Sequence, residues 1–181
     1  MDAAEEIDPN DMIFIDESGA HLGMTSDYAR SEGGERAVAP KPFDIGSKFS
    51  MIGAIALTGV VAMMYVESAV DGHIFEEYVK QMLVPKLRCG QYVIFDNVSF
   101  HKSQKIIELI SNAGARVVLL PPYSPDLSPI EKMWSKIKEV LKRNKPRTKA
   151  EFHSALAGAL TSINDEDFEE WYQACGYTIA A

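Results

Sequence analysis

The chain has few cysteines, no long apolar run and no excess of positive charge, and each absence excludes a class of protein. Its two cysteines, Cys89 and Cys175, are far apart and lack metal-ligand spacing, so we expect reduced thiols in a cytosolic protein. No apolar run approaches the roughly 20 residues that span a bilayer. The acidic N-terminus also lacks the basic and apolar regions of a signal peptide. We therefore expect a cytoplasmic protein with no membrane partner.

The length and composition favour one folded domain. A chain of 181 residues fits a single domain, and 46% hydrophobic residues are enough for a real core. Charged residues make up 24%, which does not indicate a disordered tail. No internal repeat or low-complexity tract is present.

The charge is distributed unevenly along the sequence. The formal net charge is −8, yet residues 132–149 contain eight lysines and arginines and a single acid, Glu139. Residues 1–17 contain seven acids and no base, and residues 150–181 contain six acids and no lysine or arginine. This pattern predicts one phosphate-facing surface on an otherwise acidic body. A solvated helix face explains the basic stretch equally well on charge alone.

The order of predicted elements indicates an α/β fold. We expect strands at 12–16, 48–57, 60–67, 91–96 and 116–120, and helices at 72–87, 101–113, 128–145, 148–163 and 165–174. Residues 17–47, rich in glycine and proline, are predicted to be irregular. Three early strands in a meander followed by alternating strands and helices form the order of a ribonuclease-H-like fold. We therefore predict a mixed five-stranded sheet with helices on both faces.

Three carboxylates follow or begin elements of this predicted fold. Asp16 ends the apolar run 12–15, Asp96 ends the run 92–95, and Glu131 opens a helix after a proline-rich loop. Strand-end acids lie at the carboxyl edge of a sheet, where open α/β folds build their sites. Three such groups together would repel one another unless a divalent cation lay between them. This arrangement is typical of a two-metal phosphoryl-transfer enzyme.

Each carboxylate also has a structural interpretation. An Asp after a strand is most often a turn former or a helix cap. The run from Ser128 to Glu131 fits a capping box, with Ser128 as the N-cap, which explains Glu131 as well as catalysis does. At about 100° per residue, Lys138, Lys142 and Lys145 fall on the same helical flank as Glu131. A carboxylate that shares its flank with lysines suits a site for metal and phosphate.

Three motifs occur in a fixed order and are more specific together than apart. They are Asp16-Glu17-Ser18-Gly19, the Asp-Asn-x-Ser-x-His-Lys element at 96–102, and the proline loop 121–129 leading into Ile-Glu-x-x-Trp at 130–134. In these motifs the sequence resembles the catalytic domain of DDE transposases in the mariner-related superfamily. It resembles most the bacterial insertion sequence 630 branch. The resemblance runs from about Met12 to Tyr177, with a short basic hairpin expected at 28–36.

The resemblance implies a specific site. Asp16, Asp96 and Glu131 correspond to the metal-binding catalytic triad, which would hold two Mg²⁺ ions, with Mn²⁺ as a substitute. Transposon ends and target DNA are the implied substrates. The residues expected to contact DNA are Lys138, Lys142, Lys145, Arg143, His101 and Lys102. For His101 a surface helix cap remains the alternative. Family members more often have Asn at the position of Ser128, but serine caps a helix equally well.

The resemblance also sets the expected domain organisation and partners. We expect an acidic extension at 1–11 and a ribonuclease-H-like catalytic domain at 12–177. The family's N-terminal helix-turn-helix modules do not precede Met12, so we expect such a module as a separate or fused chain. A homodimer and a location at the bacterial nucleoid are further expectations. The rival interpretations are a ribonuclease-H-like nuclease without strand transfer and an inactive DNA-binding remnant that acts as an inhibitor.

Overall fold

A mixed five-stranded sheet forms the centre of the molecule. The structure is a computed structural model and describes residues 7–26, 33, 45–96 and 103–179. The strands are β1 (Met12–His21), β2 (Lys48–Ala56), β3 (Gly59–Val66), β4 (Tyr92–Phe95) and β5 (Arg116–Leu119). Their order in the sheet is β3-β2-β1-β4-β5. The first three strands pair antiparallel as a meander, whereas β4 lies parallel to both β1 and β5.

Helices cover both faces of the sheet. They are α1 (Gly72–Tyr78), α2 (Gln104–Asn112), α3 (Ile130–Asn144), α4 (Lys149–Thr161) and α5 (Asp165–Ala174). Alternate residues of β1 face opposite sides, as a pleated strand requires. Ile13 belongs to the core formed with α1 and α2, and Phe14 belongs to the core formed with α3, α4 and α5. The predicted mixed sheet with helices on both faces is therefore confirmed.

The C-terminal helices are fixed to the central strand. Tyr172 of α5 is buried, and its hydroxyl donates a hydrogen bond to the Met12 carbonyl at 3.2 Å. Its ring also contacts Phe14 edge-on, with centroids 5.4 Å apart. These contacts hold the helical layer against the face of β1 on which even-numbered residues lie. Among the described residues, no helix is long and apolar enough to cross a membrane.

Two predicted elements differ from the structure. The irregular stretch at 17–47 is wrong at its start, because β1 continues to His21, which pairs with Lys48 of β2. The single helix at 72–87 is also wrong beyond Tyr78, where a π-helical segment spans Val79–Leu83 and a 3₁₀ turn spans Val84–Lys86. Pro85 lacks the backbone N–H that a continuous α-helix requires there. Most of the segment at 17–47, including the expected hairpin at 28–36, lies outside the described residues.

Candidate active site

Two aspartates lie side by side on neighbouring strands: Asp16 lies inside β1, not at the strand end predicted from the sequence, and Asp96 directly follows β4. The parallel pairing of β1 and β4 aligns Phe14 with Ile94. Asp16 comes two residues after Phe14, and Asp96 comes two residues after Ile94. A step of two residues returns each side chain to the face of Phe14 and Ile94, the face on which α3 packs. The register therefore places both carboxylates at one level, on one face of two adjacent strands.

Glu131 enters the same region from the first turn of α3. Its side chain is exposed, and the predicted capping box around it is wrong. In a capping box the Glu131 carboxylate would accept a hydrogen bond from the Ser128 N–H. That N–H instead donates to the Pro125 carbonyl at 3.1 Å, and Pro129, with helical backbone angles, is the N-cap. The Glu131 side chain therefore does not cap the helix.

All three carboxylates line one cleft. The cleft has a volume of about 390 Å³, and residues 120–125 and Ser128 complete its wall. The loop of that wall is anchored on its far side, because the Tyr177 hydroxyl donates to the Leu127 carbonyl at 2.8 Å. Tyr123 lies at the rim with a left-handed backbone, φ 59°, and a fully exposed ring. The cleft is thus acidic at its base and bounded by a proline-rich rim.

Asp16 carries the most perturbed carboxyl group of the cleft. Burial, with the charge of Glu131 adding to it, raises the pKa of Asp16 to about 7. The indole of Trp134, one turn after Glu131 in α3, donates a hydrogen bond from Nε1 to Asp16 Oδ2 at 2.9 Å. The backbone N–H of Glu17 also donates to this carboxylate. Both bonds favour the charged form, but burial and repulsion outweigh them.

The donor set fits a hard divalent cation. All three groups offer carboxylate oxygens, the ligands that Mg²⁺ and Mn²⁺ prefer. Within the described part of the chain, no lysine or arginine forms an ion pair with the partly buried Asp16, so a bound cation would supply the missing positive charge. As they stand, no three His, Cys, Asp or Glu side chains of the described residues are close enough together to hold a metal ion. The three carboxylates therefore line one cleft but are not close enough together to coordinate a single ion.

The basic stretch divides into paired and unpaired cations. Some members already contact protein groups: Lys136 pairs with Asp167, Arg143 with Glu139 at 2.7 Å, Lys149 with Glu67 at 2.6 Å, and Arg147 donates to the Leu22 carbonyl. Lys138, Lys142 and Lys145 form no ion pair with any carboxylate of the described residues. Lys138 and Lys142 continue along α3 on the flank of Glu131, whereas Lys145, predicted on the same flank, follows the last helical residue with a left-handed backbone, φ 50°. Of the predicted DNA contacts, His101 and Lys102 lie outside the described residues.

Sequence reasoning missed two residues that support this site. Trp134 is buried in the core, and no sequence pattern predicts its hydrogen bond to Asp16. Gly53 of β2 lies directly opposite Asp16 in the antiparallel register. A Cβ at Gly53 would lie 2.9 Å from the Trp134 ring. A glycine inside a buried and mostly apolar strand is a signal of close approach that could have identified this contact.

The fold and the carboxylates of the cleft together define the class of protein domain to which the chain belongs. A sheet of this order, with aspartates on adjacent parallel strands and a helix-borne glutamate beside them, is a ribonuclease-H-like α/β domain. Residues 11–153 match the family model of the DDE superfamily endonucleases, and the chain belongs to that family. No curated protein matches it in sequence.

Solved structures of one transposase share the fold. The chain is similar to the mariner Mos1 paired-end complex with Mg, with a TM-score of 0.74 and 13% identity over 96% of this chain and 57% of that chain. The Mos1 paired-end complex with the left transposon end gives 0.69 and 14%, over 92% and 55%. The isolated catalytic domain of Mos1 gives 0.64 and 14%, over 95% and 85%. The chain therefore spans about half the length of the Mos1 chains in the DNA complexes and most of the catalytic domain.

Proposed function

We propose that this chain is the catalytic domain of a DNA transposase of the bacterial insertion sequence 630 branch. The observation that carries the proposal is the placement of Asp16 and Asp96 at one level of adjacent strands, with Glu131 lining the same cleft. Membership of an endonuclease family and the fold shared with Mos1 support it. The proposed place of action is the bacterial nucleoid.

Two divalent ions are the proposed cofactors. Asp16 and Asp96 would bind both, and Glu131, exposed and free of a capping role, would complete one coordination shell. Bound in pairs, such ions activate a water and stabilise the leaving oxygen in phosphoryl transfer. Mos1 structures with Mg and with Mn support the choice of metal. The Trp134 N–H holds the Asp16 carboxylate in place, so the protein supplies positioned ligands and need form no covalent bond to DNA.

The proposed substrates are transposon ends and target DNA. Lys138 and Lys142 extend from the cleft along α3, and Lys145 follows the end of the helix. All three would bind the phosphate backbone, with Arg143, His101 and Lys102 as further proposed contacts. Recognition of the ends is assigned to a helix-turn-helix module, separate or fused, and a homodimer is the proposed assembly. Mos1 forms complexes with its transposon-end DNA, which supports DNA as the partner.

A cleavage and strand-transfer assay tests this proposal. The 181-residue chain should nick supercoiled plasmid in Mg²⁺ or Mn²⁺ and not in EDTA. Asp16→Ala, Asp96→Ala and Glu131→Gln should each abolish the nicking. Pre-cleaved duplex ends, supplied in excess so that no end recognition is needed, should then join to target plasmid. Nicking without joining would favour a simple nuclease, and DNA binding without either reaction would favour an inhibitory remnant.

A further inference from the structure

Trp134 is buried yet directs its single polar atom at the proposed metal site. The side chain is 1% exposed, and its Nε1–H donates to Asp16 Oδ2 at 2.9 Å. A buried indole gains its packing energy from the ring and needs one acceptor for its N–H. Here the acceptor is one oxygen of the carboxylate that the proposed function assigns to the metal ions.

The sheet is built to admit this ring at this place. Gly53 faces Asp16 across the β1–β2 pairing, in a strand whose neighbours Ile52 and Ala54 are fully buried. A Cβ on Gly53 would approach the Trp134 ring to 2.9 Å and the Met133 side chain to 3.2 Å. Only glycine lets the indole lie this close to the strand without displacement. The absence of a side chain at Gly53 therefore sets how closely the Trp134 indole packs on the sheet.

We propose that Gly53 and Trp134 form a positioning unit that fixes the Asp16 carboxylate for metal binding. Gly53 seats the indole, and the indole N–H orients the carboxylate through Oδ2. Outer partners of metal ligands act in this way, since they restrict the ligand to one orientation before the metal arrives. Neither residue is a catalytic residue, because neither touches DNA or the reacting atoms. The inference rests on the proposed function of Asp16 and adds a role that Trp134 and Gly53 do not have as core residues.

The chain contains a matched pair of tryptophans for the test. Trp171 is the other one; it is also buried, and its ring contacts Phe168. Trp134→Phe keeps an aromatic ring and removes the N–H, and Trp171→Phe makes the same chemical change away from the cleft. Mn²⁺ binding to the DNA-free protein would be measured by electron paramagnetic resonance. We expect Trp134→Phe to weaken Mn²⁺ binding roughly tenfold or more and Trp171→Phe to leave it unchanged.

A glycine pair provides a second test that does not remove the indole. Gly53→Ala should displace the ring and weaken Mn²⁺ binding in the same direction. Gly19→Ala, on the neighbouring strand where a Cβ meets nothing within 4 Å, should not. Binding is compared at a temperature where circular dichroism shows all variants folded. If Trp134→Phe fails to fold, the glycine pair alone decides the matter.

A spectroscopic measurement separates positioning from mere packing. The two indole N–H signals of ¹⁵N-labelled protein are assigned with Trp171→Phe. Adding Mg²⁺ should shift the Trp134 signal, and Asp16→Asn should abolish that shift. Mn²⁺ affinity unchanged in both Trp134→Phe and Gly53→Ala would overturn the positioning unit while leaving the proposed function intact. Failure of the original chain to bind Mn²⁺ at all would overturn both.

Discussion

The charge on Asp16 should destabilise the metal-free protein above neutral pH. Its pKa is about 7 in the folded chain against an ordinary value of 3.8, so the folded state binds this proton more tightly than the unfolded state does. The resulting stabilisation is complete below pH 4 and is lost as the pH rises through about 7. The physical cause is the burial of a carboxylate next to a second one, a conflict that a bound cation would remove.

Asp16→Asn should therefore stabilise the metal-free chain at high pH only. The amide cannot ionise and can still accept the Trp134 hydrogen bond. In EDTA at pH 8.5 we expect a gain of roughly 2–4 kcal/mol in the free energy of unfolding by urea, from about 1.4 kcal/mol per pKa unit. Near pH 4 the gain should vanish. The exposed Glu169 gives a control, Glu169→Gln, and an Asp16→Asn effect of equal size at both pH values would contradict the assignment.

Glu131 should contribute little to stability, because its side chain is exposed and makes no capping box. The described residues do form capping boxes at α4, where Thr148 and Glu151 exchange hydrogen bonds, and at α5, where Asn164 and Asp167 do. Glu131→Ala should change the free energy of unfolding by about 0.5 kcal/mol or less, and Glu151→Ala should cost about 1 kcal/mol. Thermal unfolding of the two variants measures both. Equal losses would restore the capping interpretation of Glu131.

At the scale of elements, α3 joins the proposed site to the proposed DNA surface. Glu131 is at its first turn, Trp134 is one turn later, and the unpaired Lys138 and Lys142 follow on the flank of Glu131. The opposite side of the helix is buried through Ile137 and Leu141. The helix thus carries a proposed metal ligand, the group proposed to position another ligand, and two unpaired lysines in one rigid element.

Neutralising Lys138, Lys142 and Lys145 together should weaken DNA binding and flatten its dependence on salt. Each lost phosphate contact should reduce the log–log slope by roughly 0.9, with little change in sequence preference. The matched control replaces Lys136, Arg147 and Lys149, which already contact Asp167, the Leu22 carbonyl and Glu67. Fluorescence anisotropy over a salt series measures both triple variants. Identical slopes for the two triple variants would favour the interpretation that these lysines are only a solvated surface.

Most helices and strands could be predicted from the sequence, but contacts between residues far apart in the sequence could not. Strand runs and the apolar stripe of α3 are periodic signals, so the sheet and its two helical layers could be predicted from them. The residues at 17–21 have no such period, and β1 extends through them because β2 offers a partner as far as Lys48. The bond from Trp134 to Asp16 joins residues 118 positions apart. No local pattern specifies such a contact, although the glycine at position 53 indicates where it occurs.

The molecule is acidic except for one basic helix, and this charge distribution determines which part of it can attract DNA. A net charge of −8 opposes general attraction to a polyanion, so affinity should come from the local lysine row. Phosphate contacts position a protein without reading sequence, and base-edge contacts require an element in a groove. These 181 residues match the catalytic part of Mos1 rather than its whole length.

We therefore expect the 181-residue chain to bind duplex DNA weakly and without preference for its transposon ends. A competition at moderate salt, terminal repeat against scrambled duplex, should show less than a few-fold discrimination. Fusing the proposed helix-turn-helix module should bring the discrimination into the range of specific DNA binding, roughly a thousandfold or more. Strong discrimination by the unfused chain would show that recognition lies within these residues.

The central claim is that Asp16, Asp96 and Glu131 are metal ligands, and a change of ligand chemistry at Asp96 tests it most directly. A thiolate is a poor ligand for Mg²⁺ and a better one for softer transition metals. Plasmid nicking by Asp96→Cys would be measured in Mg²⁺ and in Mn²⁺, with Asp96→Ser as the control of similar size. If the three carboxylates are metal ligands, we expect no nicking by Asp96→Cys in Mg²⁺, partial recovery in Mn²⁺, and none by Asp96→Ser in either metal. Full activity of Asp96→Cys in Mg²⁺ would contradict this claim.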